Sequence, residues 1–109
     1  TIAAMEDRKM GMVIGVDSDW YLTYPDNGDI ILTSVMKKMD ATTMQVIESV
    51  IDGTFKGGKV VGTLENKGVD LAPFHDFEDK VPADLVKELD DIRAKIISGE
   101  IELNPVYAQ

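Results

Sequence analysis

Near its start the chain sorts apolar and polar residues into blocks. Met12, Val13, Ile14 and Val16 form an unalternating run, broken only by Gly15, that stops abruptly at Asp17, Ser18 and Asp19. A run of this kind suits a strand buried on both faces, as in a parallel sheet with helices on either side. Ile30–Val35 (IILTSV) repeats the pattern with β-branched residues and leads to Lys37 and Lys38. Carboxylates thus follow the first strand, and cations follow the second.

Elsewhere the period changes to that of a helix. Thr43, Met44, Ile47, Val50 and Ile51 predict a helix over Ala41–Asp52, with Asp40 as N-cap, Gly53 as stop and one face of the sheet beneath it. Leu85, Val86, Leu89, Ile92, Ile96 and Ile97 predict another between Pro82 and Gly99. The opening TIAAMEDRKMG reads as the last turns of a helix closed by Gly11. Trp20–Asp29 reads as a loop, since Pro25, Asp26, Asn27 and Gly28 set turn dihedrals. Lys59–Leu64 (KVVGTL) reads as a third strand, and Val69–Pro73 and Ile101–Leu103 as short ones; Phe74–Pro82 reads as irregular.

This order predicts an α/β fold, a mostly parallel sheet flanked by helices. The strands are too few for a self-contained doubly wound sheet. A chain that opens inside an element reads as a piece of a larger protein, and the apolar surface left without cover suits a fragment or an intimate dimer, with no complete second domain in residues 1–109.

Composition narrows the chemistry. Twenty acidic against 11 basic residues give a net charge of −9 with no basic cluster, which argues against nucleic acid. No apolar stretch approaches the roughly eighteen residues of a membrane span. The absence of cysteine removes disulfides, thiolate catalysis and sulfur-ligated metals. Asp17, Asp19, Asp26 and Asp29 do not make a calcium loop, because Leu22 and Gly28 spoil the ligand spacing. Neither a metal nor a cofactor is expected.

Asp17 and Asp19 stand where open α/β sheets hold ligands. An ionised carboxylate can accept from two vicinal hydroxyls at once, which suits a sugar, although aspartate also caps turns routinely. Lys37 is either the cationic partner of Asp17 or an ordinary surface lysine; in an extended chain Lys38 points the other way. Trp20, Tyr21 and Tyr24 either stack on a base or cover the sheet edge. One histidine, His75, lies beside Asp76, a poor geometry for a catalytic pair. Phe74 and Phe77 are expected to anchor that segment while His75 and Asp76 face out or satisfy local backbone groups. The charges from Glu78 to Lys80 and on the last helix read as a solvated face.

GVDSD at Gly15–Asp19, ILTSVMKKMD at Ile31–Asp40 and LAPFHDFEDKVP at Leu71–Pro82 together resemble the basic membrane protein family of bacterial substrate-binding lipoproteins, which includes purine nucleoside receptors. The resemblance covers essentially the whole chain and aligns it with the C-terminal third of such a protein. It implies a type I periplasmic binding protein, not an enzyme, with two lobes closing on a nucleoside such as guanosine, inosine or adenosine. It implies delivery to ABC permease subunits and lipid anchoring outside the cytoplasmic membrane, through a cysteine outside this chain. It also implies that Asp17 and Lys37 hold the ribose hydroxyls, with Asp19 and Trp20 as further candidates. Trp20 stands where many relatives have glutamine, which leaves the base open. Surface normally covered by the rest of the protein gives the fragment a route to self-association. Rival readings are a ligand-sensing regulator of the same fold and a nucleoside-processing enzyme using Asp17 or His75; neighbouring permease genes and a turnover assay separate them.

Overall fold

A computed structural model describes residues 2–8 and 11–103, which divide after Glu78 into two compact units. The first holds α1 (Ile2–Arg8), β1 (Val13–Asp17), α2 (Trp20–Thr23), a 3-10 turn (Pro25–Ile30), β2 (Ile31–Lys37), α3 (Met39–Ile51), β3 (Val69–Leu71) and a second 3-10 turn (His75–Phe77). The second is built on α4 (Ala83–Ser98). No helix among the described residues is long and apolar enough to cross a membrane.

The sheet has the order β1-β2-β3 and is mixed. β1 and β2 run parallel, with Val16 opposite Val35 and Asp17 opposite Met36, while β3 is antiparallel to β2, with Met36 opposite Asp70. Parallel strands need a long crossover. Here Ser18–Ile30 supplies it, not as the expected loop but as α2 followed by a 3-10 turn, because Asp19 caps the stretch through Tyr21 N–H at 3.1 Å. The expected strand at Lys59–Leu64 is absent from the sheet. Asn66 instead stitches that segment into a turn, accepting from Thr63 N–H and Gly68 N–H and donating to Val61 O. Gly62 and Gly68 meet there backbone to backbone: a Cβ on Gly68 would lie 2.3 Å from Gly62 Cα.

The core is small. Ile31, Ala72, Val13, Phe77, Thr33 and Ser34 are buried, and Thr33 Oγ1 donates to Ala72 O at 2.7 Å. β1 is covered on one face only, contrary to the expectation from its apolar run. Val13 and Gly15 point inward, whereas Ile14, Val16 and the adjacent Val35 of β2 remain about half exposed. α3 starts earlier than its sequence pattern suggests, with Lys38 as N-cap and Asp40 within the first turn. It buries no residue and ties instead to the Asn66 turn, through Gln45 Nε2 donating to Asn66 O at 2.7 Å. Its expected cover over the sheet is therefore not made.

In the second unit, Pro82 precedes α4 and Gly99 ends it in the left-handed conformation (φ 78°), both as its sequence predicts. Ile101–Leu103 forms no strand; the Ile101 N–H turns back to Lys95 O at 3.1 Å and closes the helix end.

Candidate functional site

Parallel pairing brings the C-terminal ends of β1 and β2 to one edge of the sheet. Asp17 closes the first strand and Lys37 the second, and Lys37 Nζ lies 2.7 Å from Asp17 Oδ1. Both side chains remain exposed. Of the two adjacent lysines, Lys37 is the one whose ammonium faces Asp17, while the Lys38 backbone N–H donates to Gly68 O. Asp17 itself is left-handed at φ 76°, a conformation that non-glycine residues adopt at a cost of about 1 kcal/mol or more.

Asp19 follows the capping alternative. Its Oδ1 accepts from Tyr21 N–H and its Oδ2 lies 2.9 Å from His75 Nε2, with both side chains largely buried. An ionised carboxylate only accepts, so the imidazole proton sits on Nε2. Tyr21 stacks flat on the imidazole, centroids 4.0 Å apart and planes within 8°, and its hydroxyl donates to Asp76 Oδ1 at 2.9 Å. The expectation that His75 faces out is corrected, whereas Asp76 is exposed as expected. Both reach across to the Asp19–Tyr21 turn, and only Phe77 of the two phenylalanines is buried.

The Tyr21 phenol is pushed above its ordinary value, first by its hydrogen bond to Asp76 and then by that carboxylate's charge. Ionising it would break the bond and set two anions together. The contact therefore contributes below the ordinary tyrosine range and is lost as pH rises through the raised value. Ultraviolet difference titration should show a phenol that ionises above the ordinary tyrosine range disappear in Tyr21→Phe; loss of one within the ordinary range would contradict the contact.

Trp20 is fixed in a different set of contacts. Its backbone N–H donates to Ser34 Oγ and its indole N–H to Val16 O, both at 3.0 Å. The ring lies over Gly15, where a Cβ would come within 2.5 Å of Trp20 Cγ. Its edge meets Tyr24 in a T-shaped pair at 5.7 Å. Trp20 lines a shallow pocket with Ile2, Ala3, Glu6, Tyr24 and Asn27, a set that excludes Asp17 and Lys37.

The sheet edge thus brings Asp17 and Lys37 together, while Asp19 and Trp20 are taken up in internal bonds. Among the described residues, no group of three or more His, Asp or Glu side chains is arranged to hold a metal ion. The Asp19–His75 and Tyr21–Asp76 contacts escaped sequence reasoning because 56 and 55 residues separate the partners. A capping aspartate before WYL was the available signal for half of them. A protein-family model described as Bmp, ABC transporter substrate-binding protein PnrA-like, matches residues 1–106.

Proposed function

The chain belongs to the Bmp family of PnrA-like ABC transporter substrate-binding proteins, and from that premise we propose that Asp17 and Lys37 hold the ribose of a purine nucleoside. The family binds small-molecule substrates outside the cytoplasm and works with an ABC transporter, a role generally without enzymatic turnover.

The observation that carries the nucleoside reading is the 2.7 Å Asp17–Lys37 pair at the C-terminal edge of the sheet. Its carboxylate offers acceptors for two vicinal hydroxyls, and its ammonium offers donors to the same oxygens. The pair is neutral overall. It suits a neutral polyol better than a phosphate, which Asp17 would repel, or a free cation, which Lys37 would repel.

In this reading the chain is the C-terminal part of a two-lobe receptor, lipid-anchored through its other part. The half-exposed face of Ile14, Val16 and Val35 is then covered by the rest of the protein, and left bare it favours self-association of the fragment. Closure around the nucleoside shifts the receptor to the state that the permease recognises. Calorimetric titration of the intact receptor with guanosine, and with its 2′,3′-dideoxy analogue, tests the reading. Binding that depends on the ribose hydroxyls is expected, and indifference to them would end it.

A further inference from the structure

The exposed Asp17–Lys37 pair cannot fix its own position. Surface ion pairs between flexible side chains are weak, on the order of 0–1 kcal/mol, and lysine has many rotamers. The Asp17 carboxylate is therefore placed by its backbone, which β1 holds on one side and the Ser18–Tyr21 turn on the other. That turn is tied to the sheet through Trp20, which donates to Ser34 Oγ and Val16 O, and to the His75 segment through Asp19. The geometry points to His75 as a positioning residue for ligand binding: by fixing Asp19 it fixes the turn that presents Asp17. This rests on the ribose-binding reading above and names the residue that prepares the site for it.

Three contacts converge. His75 Nε2 donates to Asp19 Oδ2 at 2.9 Å, the imidazole stacks on Tyr21 at 4.0 Å, and Tyr21 donates to Asp76 Oδ1 at 2.9 Å. The Asp19–His75 contact is largely shielded from water, so a partner left behind there loses a bond that solvent does not readily replace. The segment that reaches across is itself anchored in the core. Ala72 N–H donates to Ser34 O at 2.8 Å, Ala72 O accepts from Thr33 Oγ1, and Phe77 is buried. His75 is also left-handed, at φ 45°. Strained backbone persists where its surroundings over-determine it. Asp17 and His75, two of the non-glycine residues with positive φ, thus lie at the two ends of one connection: carboxylate, turn, Asp19, imidazole, core.

Two substitutions isolate the bond. His75→Phe keeps a ring to stack on Tyr21 and removes the donor; His75→Gln places an amide N–H close to where Nε2 stood. Guanosine and inosine affinities of the intact receptor are measured by calorimetry for both, with thermal melts alongside and Asp17→Asn as reference. The inference expects roughly tenfold weaker binding in His75→Phe, recovered to within about twofold in His75→Gln. It is overturned if His75→Phe melts earlier but binds as tightly as the parent, or if His75→Gln is as weak as His75→Phe. Unchanged binding in Asp17→Asn would overturn the ribose reading together with this one. Lost binding in Asp17→Asn with intact binding in His75→Phe would overturn this one alone.

Discussion

Asp17→Asn is expected to weaken nucleoside binding by the intact receptor at least about a hundredfold while leaving its melting temperature nearly unchanged. The two halves of that expectation have separate causes. Hydrogen bonds to an ionised acceptor contribute about 1.5–3 kcal/mol each, and this carboxylate is placed to accept two from a ribose. Its substitution also leaves Lys37 without its anion. The folded chain gains little from the pair, however, because the side chains of Lys37 and Asp17 are 66% and 61% exposed, and such pairs contribute about 0–1 kcal/mol. Asparagine is the right replacement because it tolerates the left-handed conformation seen at φ 76°, whereas alanine adds backbone strain to the loss of charge. Calorimetry paired with thermal melts separates the effects. Full affinity in the variant would remove Asp17 from the site.

Gly15→Ala is expected to produce the largest loss of stability, about 2–3 kcal/mol, with the fluorescence of Trp20 shifted toward that of a hydrated indole. Gly15 pairs with Ser34 in the β1–β2 register. A Cβ there would lie 2.4 Å from Ser34 Oγ and 2.5 Å from Trp20 Cγ. Ser34 is fully buried and its hydroxyl already accepts from Trp20 N–H, so it has little room to yield. The indole must give way, with loss of its bond to Val16 O. Since the chain has one tryptophan, denaturant unfolding followed by fluorescence reports both changes directly. An alanine variant with parental stability and an unshifted spectrum would show that the ring does not rest on Gly15.

Legibility of the fold from sequence follows the range of the interactions. β1 and β2 are visible because their apolar runs end in an abrupt change of charge, and α4 because Pro82 and Gly99 bracket a helical stripe. Those are local signals. KVVGTL at Lys59–Leu64 carries the same local signal and forms no strand; Asn66 holds the segment in a turn through Thr63 N–H and Val61 O. Propensity cannot see that bonding. α3 was placed correctly along the chain but not in space: its contacts to the Asn66 turn are polar and long-range.

The candidate site divides the same way. Asp17 and Lys37 were readable only as candidates for a pair, with a surface lysine as the alternative; parallel strands deliver their C-terminal residues to one edge, and there the two strand ends become neighbours in space. The left-handed turn at Asp17 was not readable, since no glycine marks it. Nor was the role of His75: adjacency drew attention to Asp76, while its hydrogen-bond partner proved to be Asp19, 56 residues away.

The central claim is that Asp17 and Lys37 recognise the ribose of a nucleoside. Calorimetric titration of the intact receptor with guanosine and with 2′,3′-dideoxyguanosine tests it most directly, because the two ligands share a base and differ only in the hydroxyls that the pair would engage. The account predicts a one-to-one isotherm for guanosine and an affinity lower by about a hundredfold or more for the dideoxy analogue, the consequence of leaving both members of a charged pair without their partners. Equal affinity for the two would contradict it.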